Sequence, residues 1–217
     1  MRRKNQGERR AQLAAAARQV LLERGAVGFR VKDIAERAGM SPSAVLYYYP
    51  EIEDLLLEVS RAAIDRFAES RIRAVRELED PVDQLRLAVR LGVPTGPDDE
   101  ESRLLYELDA LTGTSPAFAA LTGAYFDRQA SLYESILAAG VATGRFEPAA
   151  PIDVVARGIV ALEDGLGLQV VIGHPSIDNA EAERILLAHV EAMAGTAISP
   201  SAHPGVGSEQ LNQGDAR

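Results

Sequence analysis

Cysteine is absent from this chain of 217 residues, which excludes disulfides, zinc-thiolate sites and cysteine nucleophiles. Histidine is scarce. His174, His189 and His203 fall at a helix end, on a helix and in a tail, without metal-site or triad spacing. No glycine-rich phosphate loop is present, because the one G-L-G, residues 165–167, lies inside an apolar helical stretch. The acidic run Asp98, Asp99, Glu100, Glu101 suits a charged helix start better than a metal site. This inventory leads to an expectation of no enzyme, no metal and no cofactor. Apolar runs of about 18 residues and a signal-peptide core are also missing, so a soluble, cytoplasmic protein with no membrane partner is expected. No strand-like alternation of useful length occurs, which leaves an all-α chain.

What the chain does have is concentrated in residues 31–50, V-K-D-I-A-E-R-A-G-M-S-P-S-A-V-L-Y-Y-Y-P. Apolar or small residues at Val31, Ile34, Ala35 and Ala38 give the spacing of a short, one-faced helix. Gly39 ends it by taking the left-handed conformation that other residues avoid. Ser41 is placed to cap a second helix, with Pro42 at its first position, where a missing N–H and a fixed φ cost nothing. Pro50 blocks continuation beyond Tyr47, Tyr48 and Tyr49. Two short helices joined through Gly39, Met40 and Ser41 make a helix-turn-helix, although on spacing alone an ordinary helical hairpin fits equally well. A preceding helix, about residues 8–24, carries Leu13, Ala17, Val20 and Leu21 on one face, and Phe29 reads as a core plug among the three helices. The first seven residues, with Arg2, Arg3 and Lys4, read as a disordered start, or on DNA as an arm tracking phosphates.

Charge divides at the same place. Residues 1–50 hold 10 Lys and Arg against 4 Asp and Glu, net +6, while residues 51–217 hold 13 against 28, net −15. A basic head on an acidic body suits a protein in which only the head meets phosphate.

The run G-F-R-V-K-D-I-A-E-R-A-G-M-S-P-S-A-V-L-Y-Y-Y-P-E-I-E-D-L-L, residues 28–56, closely resembles the DNA-binding segment of the TetR/AcrR family of bacterial repressors, and the likeness reaches back to about Gln12. The resemblance implies a three-helix head (residues 1–50), a larger helical effector-binding and dimerisation domain (residues 51–195), and about nine helices in all. It also implies DNA contacts from Arg30, Lys32, Ser41, Pro42, Ser43, Ala44, Tyr47 and Tyr48. Their chemistry agrees: cations and hydroxyls reach phosphates or base edges, and an alanine methyl suits a thymine methyl. Three positions depart from the commonest family pattern. Arg30 stands where Ser or Thr often caps the second helix, Leu46 where tyrosine is frequent, and Ile52 where a lysine often contacts phosphate. Tyr49 takes the place of an inward-packing phenylalanine.

One long helix is expected over residues 51–78, acidic at its start and arginine-rich toward its end, serving as a connector that transmits motion or as a plain strut. Further helices are expected over residues 81–92, 98–111, 117–142, 152–173 and 178–194, followed by a disordered tail, residues 196–217. The stretch 152–173 is apolar on most sides and must be covered. The resemblance implies that it pairs with the last helix and with their copies in a second subunit. Ile159, Leu162, Leu166, Val170, Ile185, Leu186, Val190 and Met193 are the candidate dimer contacts. The segment A-L-E-D-G-L-G-L, residues 161–168, further resembles the choline-regulator-like branch, a match too short to imply a ligand. An effector pocket is implied among the middle helices, with Tyr106, Asp109, Tyr125, Phe126, Arg128 and Glu163 as candidates that each also suit a structural role. Acidic residues among apolar helices favour a cationic ligand.

The expected function is a homodimeric, DNA-binding transcriptional repressor that holds a palindromic double-stranded operator and releases it when an unidentified small-molecule effector enters the body. An activator, or a helical interaction module that keeps the helix-turn-helix as scaffold, are the alternatives.

Overall fold

The computed structural model describes residues 2–113 and 115–198, and every regular element among them is an α-helix. In chain order these are α1 (Arg2–Arg24), α2 (Val31–Arg37), α3 (Pro42–Tyr48), α4 (Ile52–Arg76), α5 (Pro81–Gly92), α6 (Glu100–Asp109), α7 (Pro116–Ala142), α8 (Ile152–Val171) and α9 (Asn179–Ala194). None of them is long and apolar enough to cross a membrane.

Helix starts are set by local chemistry. Side chains of Ser41, Asp80, Asp99, Ser115 and Asp178 accept backbone N–H groups in the first turns of α3, α5, α6, α7 and α9. Gly39, at φ +64°, makes the left-handed turn between α2 and α3. Two ends differ from expectation. α1 begins at Arg2, not near Glu8, so the basic start is helical. The segment after α9 is not wholly loose either: Ile198 is fully buried, its N–H donates to Glu191 at 2.7 Å, and its carbonyl accepts from Arg86 Nε at 2.7 Å. Residues 199–217, and with them His203 and most of the expected tail, lie outside the described residues.

The helices enclose two cores. The first gathers Leu13, Val20 and Leu21 of α1, Ile34 of α2, Val45 of α3, Tyr49, and Leu55 and Val59 of α4, and is closed by Leu104 and Leu108 of α6 and Phe118 of α7. Phe29 packs against it, half-buried. The second gathers Val75 of α4, Leu85 and Val89 of α5, Tyr133 and Leu137 of α7, Ile159 and Val170 of α8, and Leu186 and Val190 of α9. α4 supplies residues to both.

This packing corrects the expected dimer contacts. Ile159, Leu166, Val170, Leu186 and Val190 are buried within their own chain, because α8 lies between α7 and α9 and spends one face on them. Leu162, Ile185 and Met193 pack partly against the same core. The outward face of α8 consists instead of Val154, Gly158, Ala161, Gly165 and Leu168, continuing to Ile172; on α9 it is Ala180, Arg184, Ala188 and Ala192.

Candidate DNA-reading face and body cavity

α3 presents a short exposed surface with a firm start. Ser41 Oγ accepts the Ala44 N–H at 3.2 Å and lies 3.0 Å from the Ser43 hydroxyl. Arg30, Lys32, Ser41, Pro42 and Ser43 are exposed, and Ala44 and Tyr48 are half-buried. Tyr47 is 76% exposed and meets Tyr48 edge-on, with ring centroids 5.3 Å apart. Arg30 precedes α2 without a side-chain cap, and only its carbonyl serves the helix start, accepting the Asp33 N–H at 3.0 Å. Two cations, two serine hydroxyls at one helix start and two tyrosines on one face supply the donors that phosphates and base edges accept.

Tyr49 turns inward. Its hydroxyl donates to Glu58 Oε2 at 2.9 Å, the same oxygen accepts from Arg10 at 3.0 Å, and the Arg10 guanidinium lies 4.2 Å from the Tyr49 ring centre. Burial first, and the Glu58 carboxylate second, push the Tyr49 phenol up to about 12. The trio ties α1, the end of α3 and α4 together at one point.

In the body a narrow cavity, with about 30 Å³ of space for water-sized centres, is lined by Phe67 of α4, Gly92 and Pro94, Ser102, Leu105, Tyr106 and Asp109 of α6, Tyr125 of α7, and Glu163 and Asp164 of α8. Beneath it lies a buried polar network. Arg71 donates to both Glu163 oxygens at 2.7 Å and to the Ala88 carbonyl, and the Tyr133 hydroxyl donates to Glu163 Oε2 at 2.6 Å. Burial alone would favour a neutral Arg71, but Glu163 and Tyr133 outweigh it and its pKa is raised. A side chain at Gly92 would run into the Glu163 carboxylate and the Arg71 guanidinium, so the network requires glycine there. Asp164 sits at the edge of the cavity, where solvent reaches it. Partial burial, then repulsion from Glu163 and Asp109, push its carboxyl up to about 7 despite Arg71. Asp109 is raised by burial, against a hydrogen bond with Thr122. Tyr106 donates to the Asp164 carbonyl at 3.1 Å, and Tyr125 meets Phe67 edge-on at 6.3 Å.

Of the pocket candidates, Tyr106, Asp109, Tyr125 and Glu163 come together here; Phe126 and Arg128 do not. Phe126 packs against the second core with Arg157 6.0 Å from its ring centre, and Arg128 pairs with Asp65 at 3.0 Å and Glu69 at 3.9 Å. A helix turns about 100° per residue, so positions beside Tyr125 face elsewhere. The sequence reading missed Phe67, Asp164 and above all Arg71. Its signal was available: Ala68, Arg71 and Val75 share the buried stripe of α4, and an arginine on such a stripe demands a buried acid.

α6 connects this cavity to the head. Glu107 accepts the Ala26 N–H at 2.8 Å, Arg103 donates to the Leu22 carbonyl at 3.1 Å, and Arg18 of α1 reaches Glu100 at 3.3 Å and Glu101 at 3.6 Å.

A basic helix-turn-helix head fastened to an acidic, hollow helical body defines a DNA-binding transcriptional regulator. The chain belongs to the TetR family: the family profile "Bacterial regulatory proteins, tetR family" matches residues 13–59, and "BetI-type transcriptional repressor, C-terminal" matches residues 81–195. It is 28% identical over 188 residues to the HTH-type transcriptional regulator PksA of Bacillus subtilis (strain 168), covering 86% of this chain and 90% of that one. It is 31% identical over 106 residues to the HTH-type transcriptional activator FasR of Mycolicibacterium smegmatis, 48% of each chain. Among solved structures, a transcriptional regulator from Saccharomonospora viridis in complex with choline superposes with a TM-score of 0.78 at 25% identity, over 85% of this chain and 96% of that one. A TetR regulator from Haloarcula marismortui, with a TM-score of 0.75 at 23% identity, shares the fold over 86% and 98%.

Proposed function

We propose that the chain is a homodimeric, cytoplasmic repressor whose head, residues 1–50, holds one half of a palindromic operator, and whose body, residues 51–195, dimerises and binds a small organic cation that releases the DNA. Arg30, Lys32, Ser41, Pro42, Ser43, Ala44, Tyr47 and Tyr48 are its DNA contacts.

The observation that carries the reading is the double engagement of α6. One side lines the cavity through Ser102, Leu105, Tyr106 and Asp109; the other is tied to α1 through Glu107, Arg103 and the Arg18 ion pairs. A ligand that shifts α6 therefore acts on the head directly. The cationic class follows from three aromatic rings, Phe67, Tyr106 and Tyr125, set beside acidic groups, a combination that attracts ammonium ions. Choline, present with the Saccharomonospora viridis regulator, is such a cation. Dimerisation follows from the outward strip of α8 and α9, whose Val154 and Leu168, with Ile172 just beyond α8, are 56%, 40% and 62% exposed and which is otherwise built of glycine and alanine apart from Arg184. Two such chains related by a two-fold axis place two heads on half-sites about 34–36 Å apart.

Binding sites selected from random duplex DNA by the full-length protein test this reading. A palindrome with half-sites one turn apart, bound by a dimer in sedimentation and loosened by choline, is expected. A monomer without sequence preference overturns it. Because one relative, FasR, is an activator, the sign of regulation is read from transcript levels after deletion: a rise means repression.

A further inference from the structure

We infer that Asp164, seconded by Asp109, is the group that recognises the ligand's charge, so that a bound cation competes with protons for this carboxylate. The inference rests on the reading of the cavity as a small-cation site.

Three carboxylates line the cavity, and they are not equivalent. Glu163 is already neutralised: Arg71 occupies both its oxygens and Tyr133 adds a third hydrogen bond, all from groups out of contact with solvent. Its charge is committed to the fold, and a ligand that took it would strand a buried guanidinium. Asp109 and Asp164 have no ion-pair partner among the described residues, although both face the same space. The groups around Asp164 come from four helices: Arg71 of α4, Tyr106 and Asp109 of α6, Tyr125 of α7 and Glu163 of α8. Only Arg71 among these is cationic, and Glu163 cancels it. A cation entering between the rings of Phe67, Tyr106 and Tyr125 therefore supplies the positive charge that this group of residues lacks.

The direction of the pH effect follows from the burial and repulsion that raise the Asp164 carboxyl to about 7. The cation favours the ionised carboxylate, so below pH 7 binding must expel a proton, and affinity rises with pH until Asp164 is ionised without help. For a group near 7 the ionised fraction climbs from about one tenth at pH 6 to about nine tenths at pH 8, and because solvent screens the exposed Asp164, about tenfold is the upper bound of the gain. Tyr106 and Tyr125 do not contribute, since burial raises both phenols.

Choline is the probe, because its quaternary ammonium does not titrate and any pH dependence belongs to the protein. Calorimetric titration of the full-length wild-type chain at constant ionic strength is expected to show tighter binding at pH 8 than at pH 6, by up to about tenfold. Repeating it in two buffers of different ionisation heat should find close to one proton released per choline at pH 6 and close to none at pH 8.5. Asp164→Asn should bind weakly and almost independently of pH, while an uncharged carbon isostere of choline should bind both forms alike. PH-independent choline affinity in the wild type, without proton release, overturns the inference and leaves the cationic cavity standing. Absence of choline binding at every pH removes the cation reading and the inference together. Because the proton count uses only the wild type, a misfolded variant does not spare the proposal.

Discussion

The head-side core and the body-side core are both lined with leucine, valine and alanine, yet they treat charge in opposite ways. In the head, the Arg10–Glu58 pair stays at the surface, both side chains 42% exposed. In the body, the Arg71–Glu163 pair is sealed, its side chains 1% and 5% exposed. An exposed pair holds a geometry at little cost and can be lost cheaply, whereas a sealed one is tolerated only when complete. The head's surface pair can thus be lost cheaply, while the body's buried network stands or falls as a unit.

The sharpest way to break this contrast is Arg71→Met. It leaves Glu163 and Tyr133 buried without their cation and should lower unfolding free energy by about 3–5 kcal/mol in urea titrations. Adding Glu163→Leu should restore most of the loss. A single-variant cost below about 1 kcal/mol would place the two pairs in the same class. Next in size is Ser41→Ala, which removes the α3 cap and should cost about 1 kcal/mol. Arg10→Ala, which breaks the exposed Arg10–Glu58 pair, should cost at most about 1 kcal/mol by the same measurement. The smallest stability change is expected from Lys32→Ala, which leaves unfolding unaltered. Its effect appears in DNA titrations, where losing one phosphate contact lowers the slope of log affinity against log salt by about 0.9. An unchanged slope would take Lys32 off the contact list.

Legibility in the sequence followed the range of the forces involved. The helix-turn-helix was plain because Gly39, Ser41, Pro42 and Pro50 act within a few residues of themselves, and no distant partner can override a missing N–H or a left-handed turn. The orientation of α8 was not. With apolar side chains on nearly every side, its periodicity carries no face, and only the tertiary position of α7 and α9 decides that Ile159 and Val170 go inward while Val154 and Leu168 look out. The cavity was half legible for a similar reason. Tyr125 and its neighbour Phe126 are equally aromatic, and one residue of rotation separates lining from core. Arg71 was hidden in a run of arginines that also satisfied the helix dipole, so a functional group passed as an ordinary helix terminus.

α4 joins both cores as one unbroken rod, and Ile52 and Arg71 on it stand about 28 Å apart along the axis. A rod of that length multiplies angle into distance: a tilt of about 5° at the Arg71 end sweeps the Ile52 end through roughly 2.5 Å, about one hydrogen-bond length. The same stiffness that lets the buried guanidinium anchor the rod makes small swings there large where the DNA lies.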